Sequence, residues 1–294
     1  MADIIFFDYW TRGIRHFKNI SSELSQKNVS TILLHTASWR GDLDIEKAKQ
    51  NDYEEIIDGV VCRDILYYDN SIINALKKEK PSAIVLLNVQ TEDRIIIRYC
   101  RSNNIKTLYL MHGTLINDTK LSSITMDSAF GIKDRLIRFK KYRILIKEYF
   151  IAFNQKHIFG FLSFDFFSYF IKLFISPGKV IYNIWKFKDS YPDLALVYTQ
   201  ADFDLFVNKM GYAENKVRVV GNYNLDEVFA KVNNVGTDDL VKRKFNLPND
   251  AKYILYIEGG FFTTTYSIPG WTLENIANEI RNICNSISQF ILYL

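Results

Sequence analysis

The sequence predicts an α/β fold in which a doubly wound parallel sheet is followed by the beginning of a second, smaller domain. Over the first 130 residues, short and nearly continuous apolar runs alternate with amphipathic segments, which is typical of strands buried on both faces between helices. The chain has 294 residues, about the length of two domains, and 48% of them are hydrophobic. This composition is typical of a folded protein with a sizeable core.

The predicted strands and helices follow one another along the chain. The strands are Ile4 to Tyr9, Thr31 to His35, Ala83 to Val89 and Thr107 to Met111, and the helices between them are Ile14 to Leu24, Ser71 to Lys78 and Glu92 to Ser102. The pattern resumes with a strand at Leu194 to Tyr198, a helix at Asp202 to Met210 and a strand at Val217 to Val220. This order favours a parallel sheet covered by helices.

Composition along the chain predicts two domains. We expect an amino-terminal domain over residues 1–230 with a basic and aromatic insertion at about 131–187, a linker at 231–250, and a second domain over 251–294. The last segment contains one strand, one helix and part of another strand, which cannot cover both faces of a sheet. We therefore expect the second domain to be truncated.

Charge and cysteine content exclude several classes of protein. The net charge of +4 is concentrated between Lys133 and Glu148, where seven basic residues face two acidic ones, and this pattern is not typical of a nucleic-acid-binding face. The three cysteines lie far apart, which excludes a disulfide framework or a zinc ribbon. The amino terminus lacks the features of a signal peptide, so we expect a cytoplasmic protein.

The insertion has two interpretations. Lys133 to Lys147 forms an amphipathic basic pattern, which is typical either of a helix on the anionic inner face of a membrane or of a helix packed on the sheet. The aromatic run Ile158 to Ser176 contains Asp165, which is costly within a membrane span. We expect an interfacial or core-lining segment there.

The residues directly after each predicted strand are the candidates for binding or catalysis. Parallel sheets bind ligands beyond the carboxyl ends of their strands, and His112, Gly113 and Thr114 follow such a strand. A histidine exchanges protons near neutral pH and can accept one from a hydroxyl group, while Gly113 lets the backbone approach an anion closely. The alternative is a loop histidine bonded only to backbone.

A later stretch carries a family resemblance. The strand from Leu194, the turn Met210-Gly211-Tyr212 and the run Asn215 to Asn222 with Asp226 resemble the end of the first domain in GT-B-fold enzymes. The families concerned are bacterial surface-polysaccharide (capsule and O-antigen) glycosyltransferases, CDP-glycerol glycerophosphotransferases and UDP-N-acetylglucosamine 2-epimerases. His112-Gly113 is also similar to a His-Gly loop of several of the transferases.

The resemblance implies a metal-independent glycosyltransferase that works at the inner face of the membrane without a resident cofactor. It implies an acceptor-side first domain, a donor-side second domain, and transfer from a nucleotide sugar to a glycan or lipid-linked acceptor. In that scheme His112 is the base or orienting group, and Gly113, Thr114 and Asn222 bind substrate. Glu258, Gly259 and Gly260 resemble the first loop of the donor domain, where backbone amides meet a diphosphate.

Three alternatives stay open at this point. The Asp-x-Asp pairs at Asp42 and Asp44 and at Asp202 and Asp204 are candidates for a metal site, although an aspartate at a helix start is also a helix cap. A sugar-nucleotide 2-epimerase is the second, because its family shares the signature of Gly221-Asn222 followed by Asp226. A non-catalytic subunit that docks on a membrane or on a partner through Lys133 to Ser176 is the third.

Overall fold

The computed structural model describes residues 1–40, 50, 52–88, 91–112, 143–152 and 191–223, with a few single residues between 171 and 282. The chain divides into two compact units, Met1–Asn222 and Tyr223–Leu294. The predicted linker and second domain fall outside the described ranges, apart from single residues, and stay predictions.

The first unit contains one mixed sheet of eight strands. The strands are β1 (Ile4–Asp8), β2 (Thr31–His35), β3 (Glu54–Ile57), β4 (Val60–Asp64), β5 (Ala83–Leu86), β6 (Lys106–Leu110), β7 (Leu194–Val197) and β8 (Val217–Val219). Their order is β3-β4-β2-β1-β5-β6-β7-β8, and only the β3 and β4 pair is antiparallel. The prediction of an α/β fold with a largely parallel, Rossmann-like sheet is confirmed.

Helices cover both faces of this sheet. They are α1 (Ile14–Gln26), α2 (Ile72–Glu79), α3 (Thr91–Ser102), α4 (residues 143–152) and α5 (Gln200–Asp204), and a π-helical turn over Leu205–Lys209 continues α5. Six of the eight strands match predicted ones, with ends displaced by at most three residues. The largest displacement is in β5, which ends at Leu86 because its pairing with β1 stops at Phe7.

Alternate residues of the central strand β1 supply the two halves of the core. Phe6 stacks on Phe17 of α1, with ring centroids 4.4 Å apart. Ile5 and Phe7 belong to the opposite cluster, with buried residues of α2, α3 and α4. Burying each such side chain stabilises the fold by about 1.5–3 kcal/mol, so β1 is anchored from both faces.

The hairpin of β3 and β4 was not predicted from the pattern of apolar runs. Asp58 and Gly59, which join the two strands, have φ values of 50° and 80°. Two successive residues with positive φ form the turn that matches the twist of a tight hairpin, and Asp-Gly is a preferred sequence for it. The dipeptide Asp58-Gly59 was the available sequence signal.

Helix α4 is the longest described part of the insertion, and it packs against the buried cluster that contains Ile5 and Phe7. Leu145, Tyr149 and Ala152 are buried there, whereas Arg143 and Lys147 are exposed. The packed interpretation therefore holds for residues 143–152. The rest of the basic segment and nearly all of the aromatic run lie outside the described residues. Among the described helices, none combines the length and apolarity needed to cross a membrane.

A buried carboxylate joins α4 to α2. Glu148 is 2% exposed, and its Oε2 accepts a hydrogen bond of 2.9 Å from the backbone N–H of Ile73. Burial raises the pKa of the Glu148 carboxyl above its ordinary value, and the hydrogen bonds from Ile73 and Ser71 only partly offset this. The charge pattern alone gave no sign that this glutamate is internal.

Replacing Glu148 by Gln should change how stability depends on pH. Because the folded-state pKa is raised, the contribution of Glu148 is fully present below about pH 4.5, its ordinary pKa, and is lost as pH rises through the folded-state pKa. Glu148→Gln should therefore gain stability relative to the natural chain as pH rises from 4 to 7. Urea unfolding across that range measures the difference, and a constant difference would contradict the assignment.

Candidate functional site at the carboxyl edge of the sheet

The site lies where the sheet changes its direction of winding. From β1 the chain continues to β2 on one side, while β5 flanks β1 on the other. In open parallel sheets the crevice beyond the carboxyl ends of two such strands is the usual ligand position. The residues that follow β1, β5 and β6 therefore define the candidate site.

His112 follows β6 and reaches the end of β5. The backbone N–H of Met111 donates to the carbonyl of Leu196, a bond of 2.9 Å that continues the pairing of β6 with β7. The next residue, His112, is half-buried, and its Nδ1 lies 2.9 Å from the carbonyl oxygen of Leu87. Pairing between neighbouring strands thus places the imidazole at the predicted edge.

The bond to Leu87 determines the tautomer of His112. A carbonyl oxygen can only accept a hydrogen bond, so Nδ1 must carry the proton. In the neutral ring Nε2 then holds the lone pair and is the basic nitrogen. The bonded loop histidine and the proton acceptor, treated as alternatives above, are therefore compatible in this geometry.

A second imidazole adjoins the first. His16, in the first turns of α1, is half-buried, and its ring centroid lies 5.3 Å from that of His112 with an interplanar angle of 65°. Edge-to-face contacts of this kind are favourable between aromatic rings. The sequence pattern does not single out His16, because it lies within an ordinary amphipathic helix.

The position of α1 depends on Asp8, the last residue of β1. Its carboxylate packs so tightly against Gly13 that a Cβ on that glycine would lie 2.3 Å from Asp8 Oδ2. Asp8 Oδ1 accepts a hydrogen bond of 2.8 Å from the backbone N–H of Tyr9. Since Gly13 is the N-cap of α1, the carboxylate occupies the positive end of that helix.

The next two strands extend the row of polar side chains. Asp8 is the register partner of His35, and His35 is the partner of Asp64. Asp64 is fully buried, and its Oδ2 lies 3.2 Å from Nδ1 of His35. It also accepts hydrogen bonds from the N–H and hydroxyl of Ser38 and from the N–H of Leu66.

These donors control the charge of Asp64. Burial alone would raise the pKa of the Asp64 carboxyl, but the hydrogen bonds from His35, Ser38 and Leu66 outweigh it and hold the pKa below its ordinary value. Asp64 therefore remains a carboxylate and ties together the loops after β2 and β4. His35 is only 3% exposed, so it is less accessible to a substrate than the half-buried His112.

Carboxylates also occupy the other described helix starts that follow strands. Glu92 and Asp93 are buried in the first turn of α3, and Glu148 accepts from the first turn of α2. Asp202 forms a capping box with Thr199 at the start of α5. The backbone N–H groups that would cradle a phosphate at these helix starts are thus already close to carboxyl oxygens, and at α3 and α5 to negative charge.

Three further residues predicted as site or metal-binding candidates lie among the described residues. Asn222 follows β8 at the same edge of the sheet as His112, two strands away, and Gly221 before it has a φ of 78°. Asp202 has the capping role described above, and Asp204 accepts a hydrogen bond from Gln200.

Several predicted residues lie outside the part of the chain that the structure describes. Those outside the described residues are Gly113, Thr114, Glu258, Gly259, Gly260, Asp42, Asp44 and Asp226. Among the described residues, no three His, Cys, Asp or Glu side chains lie close enough to hold a metal ion together.

Replacing Gly13 by Ala should displace Asp8. The added methyl group would lie 2.6 Å from Asp8 Cβ as well as against the carboxylate, and such overpacking costs about 1–3 kcal/mol. Urea unfolding of Gly13→Ala should show this loss. In an Asp8→Gly background the same substitution should cost less, since the obstructing atoms are absent. Strictly additive losses would contradict the proposed contact.

Replacing Asp64 by Asn should remove part of the acid sensitivity of the fold. The lowered pKa means that the contribution of Asp64 is present above its ordinary value of 3.8 and is lost as pH falls through the folded-state pKa. Asp64→Asn should be less stable at pH 7, by about 1–3 kcal/mol, and should lose less stability on acidification. Unfolding curves between pH 2 and 7 test this, and parallel pH profiles would overturn it.

Comparison with known proteins adds no relative to this description: no protein-family model matches the chain, and no curated protein is significantly similar to it in sequence.

Proposed function

We propose that the chain is a glycosyltransferase of GT-B architecture that transfers a sugar from a nucleotide sugar to a hydroxyl group of a surface-polysaccharide or lipid-linked acceptor. Its first unit is the acceptor side. The observation that carries the proposal is the 2.9 Å contact of His112 Nδ1 with the Leu87 carbonyl at the ligand edge of a parallel sheet, because this contact makes Nε2 the basic nitrogen.

The chemistry follows from that nitrogen. The acceptor oxygen attacks the anomeric carbon of the donor while the bond from that carbon to the nucleotide phosphate breaks. The hydroxyl proton passes to Nε2 of His112, and the nucleotide leaves with the bonding electrons, as a diphosphate from UDP- and GDP-sugars and as CMP from CMP-sugars. General-base assistance of this kind contributes about 10²- to 10⁴-fold to a rate.

The helix starts support the assignment of the first unit to the acceptor. Negative side chains lie at the starts of α1, α3 and α5. A donor diphosphate would meet repulsion at these positions, whereas an acceptor hydroxyl carries no charge. In this proposal the diphosphate is held by the second unit, where Glu258, Gly259 and Gly260 are the candidates.

Replacing His112 by Gln should lower kcat by about 10²- to 10⁴-fold with little change in KM for the donor, since the amide accepts no proton. The measurement is sugar transfer from UDP-, GDP- and CMP-sugars to lipid-linked and glycan acceptors. Lys106→Gln is the matched control, because Lys106 is exposed at the opposite end of the same strand.

Two outcomes would contradict the proposal. If His112→Gln transfers sugar as fast as the natural chain, His112 is not the general base. If the natural chain transfers sugar from none of the donor classes, the glycosyltransferase assignment is wrong. Exchange of the C2 hydrogen of a nucleotide sugar with solvent deuterium, without transfer, would instead indicate a 2-epimerase.

A further inference from the structure

The contact between His16 and His112 joins parts of the chain that are far apart in sequence. His16 belongs to the helix after β1, whereas His112 follows β6, and the end of β5 lies between those strands in the sheet. The proposed chemistry uses only His112. The neighbouring imidazole therefore needs an explanation of its own.

A single hydrogen bond does not fix an imidazole ring. The bond from Nδ1 to the Leu87 carbonyl is one restraint on His112, and rotation about the side-chain torsions would carry Nδ1 away from that carbonyl and remove the reason for the Nδ1-protonated form. A contact against another edge or face restricts this rotation. His16 provides such a contact, at 5.3 Å between centroids and with the planes 65° apart.

His16 is itself held firmly. The next residue, Phe17, is fully buried and stacks on Phe6 of the central strand. At the start of the same helix, Gly13 packs against Asp8 with no room for a Cβ. The helix therefore cannot slide or rotate without disrupting both contacts, so the backbone at His16 is held in place.

We propose that His16 is a positioning residue for His112, which keeps the ring plane and the Nδ1-protonated tautomer in the orientation that aims Nε2 at the acceptor hydroxyl. The role in turnover rests on the proposed function, but the effect on the His112 ring does not. An aromatic ring at position 16 supplies the required contact, and a proton-transferring group is not needed there.

The first test is nitrogen-15 NMR of the full chain with labelled histidine, which distinguishes the two neutral tautomers. His112 should show the Nδ1-protonated form in the natural chain and in His16→Phe. In His16→Ala we expect loss of this single form, with a mixture of tautomers or exchange broadening. Arg15→Ala is the matched control, because Arg15 is the exposed neighbour on the same helix.

The second test is turnover. His16→Ala should lower kcat by about ten- to a hundredfold, the range that small misplacement of a catalytic group produces, with KM unchanged. His16→Phe should restore most of the rate. A merely structural role would lower the unfolding free energy of His16→Ala but leave the His112 tautomer and kcat as they are.

The two tests separate the two proposals. If the natural chain transfers no sugar, the proposed function fails, and the NMR comparison still decides the role of His16. If transfer occurs and His16→Ala keeps both the tautomer and kcat, the positioning role is overturned. Failure of His16→Phe to restore either quantity would also overturn it, because aromatic packing would not be the operative property.

Discussion

The close contact between the Asp8 carboxylate and Gly13 is the constraint on which the rest of the carboxyl edge depends. It joins the end of the central strand to the start of α1, and the missing Cβ of Gly13 is what makes the approach possible. Because α1 is a rigid helix, this contact also sets the position of His16 one turn later. The meeting of His16 with His112 is thus a consequence of packing on β1.

Two buried carboxylates show how the environment, and not burial alone, decides the charge at this edge. Asp64 and Glu148 are both almost fully inaccessible to solvent. Four donor groups, from His35, Leu66 and both the N–H and the hydroxyl of Ser38, outweigh the cost of burial at Asp64, so its pKa is lowered. The donors at Glu148 are insufficient, so its pKa is raised. The contributions of these two buried carboxyl groups to stability therefore change with pH in opposite directions.

The environments of His35 and His112 also differ, and this difference decides the role of each imidazole. His35 is packed beside Asp64 and is closed to solvent, which suits the tying of two loops. His112 donates to a neutral carbonyl, which leaves its second nitrogen basic, and the residue stays half-buried. A structural imidazole and a candidate base are thus distinguished by the solvent accessibility of the ring and by the hydrogen-bond partner of one ring nitrogen, since the residue type is the same.

Apolar runs in the sequence determined the parallel strands such as β1 and β2, because burial on both faces leaves a continuous local pattern. The position of His112 after a strand was likewise a local property. Other features join residues that no local pattern relates: the Asp8, His35 and Asp64 row, the Glu148 bond to α2, and the contact of His16 with His112. Only the tertiary structure decided these, because each depends on the order of strands in the sheet and on which helix covers which face.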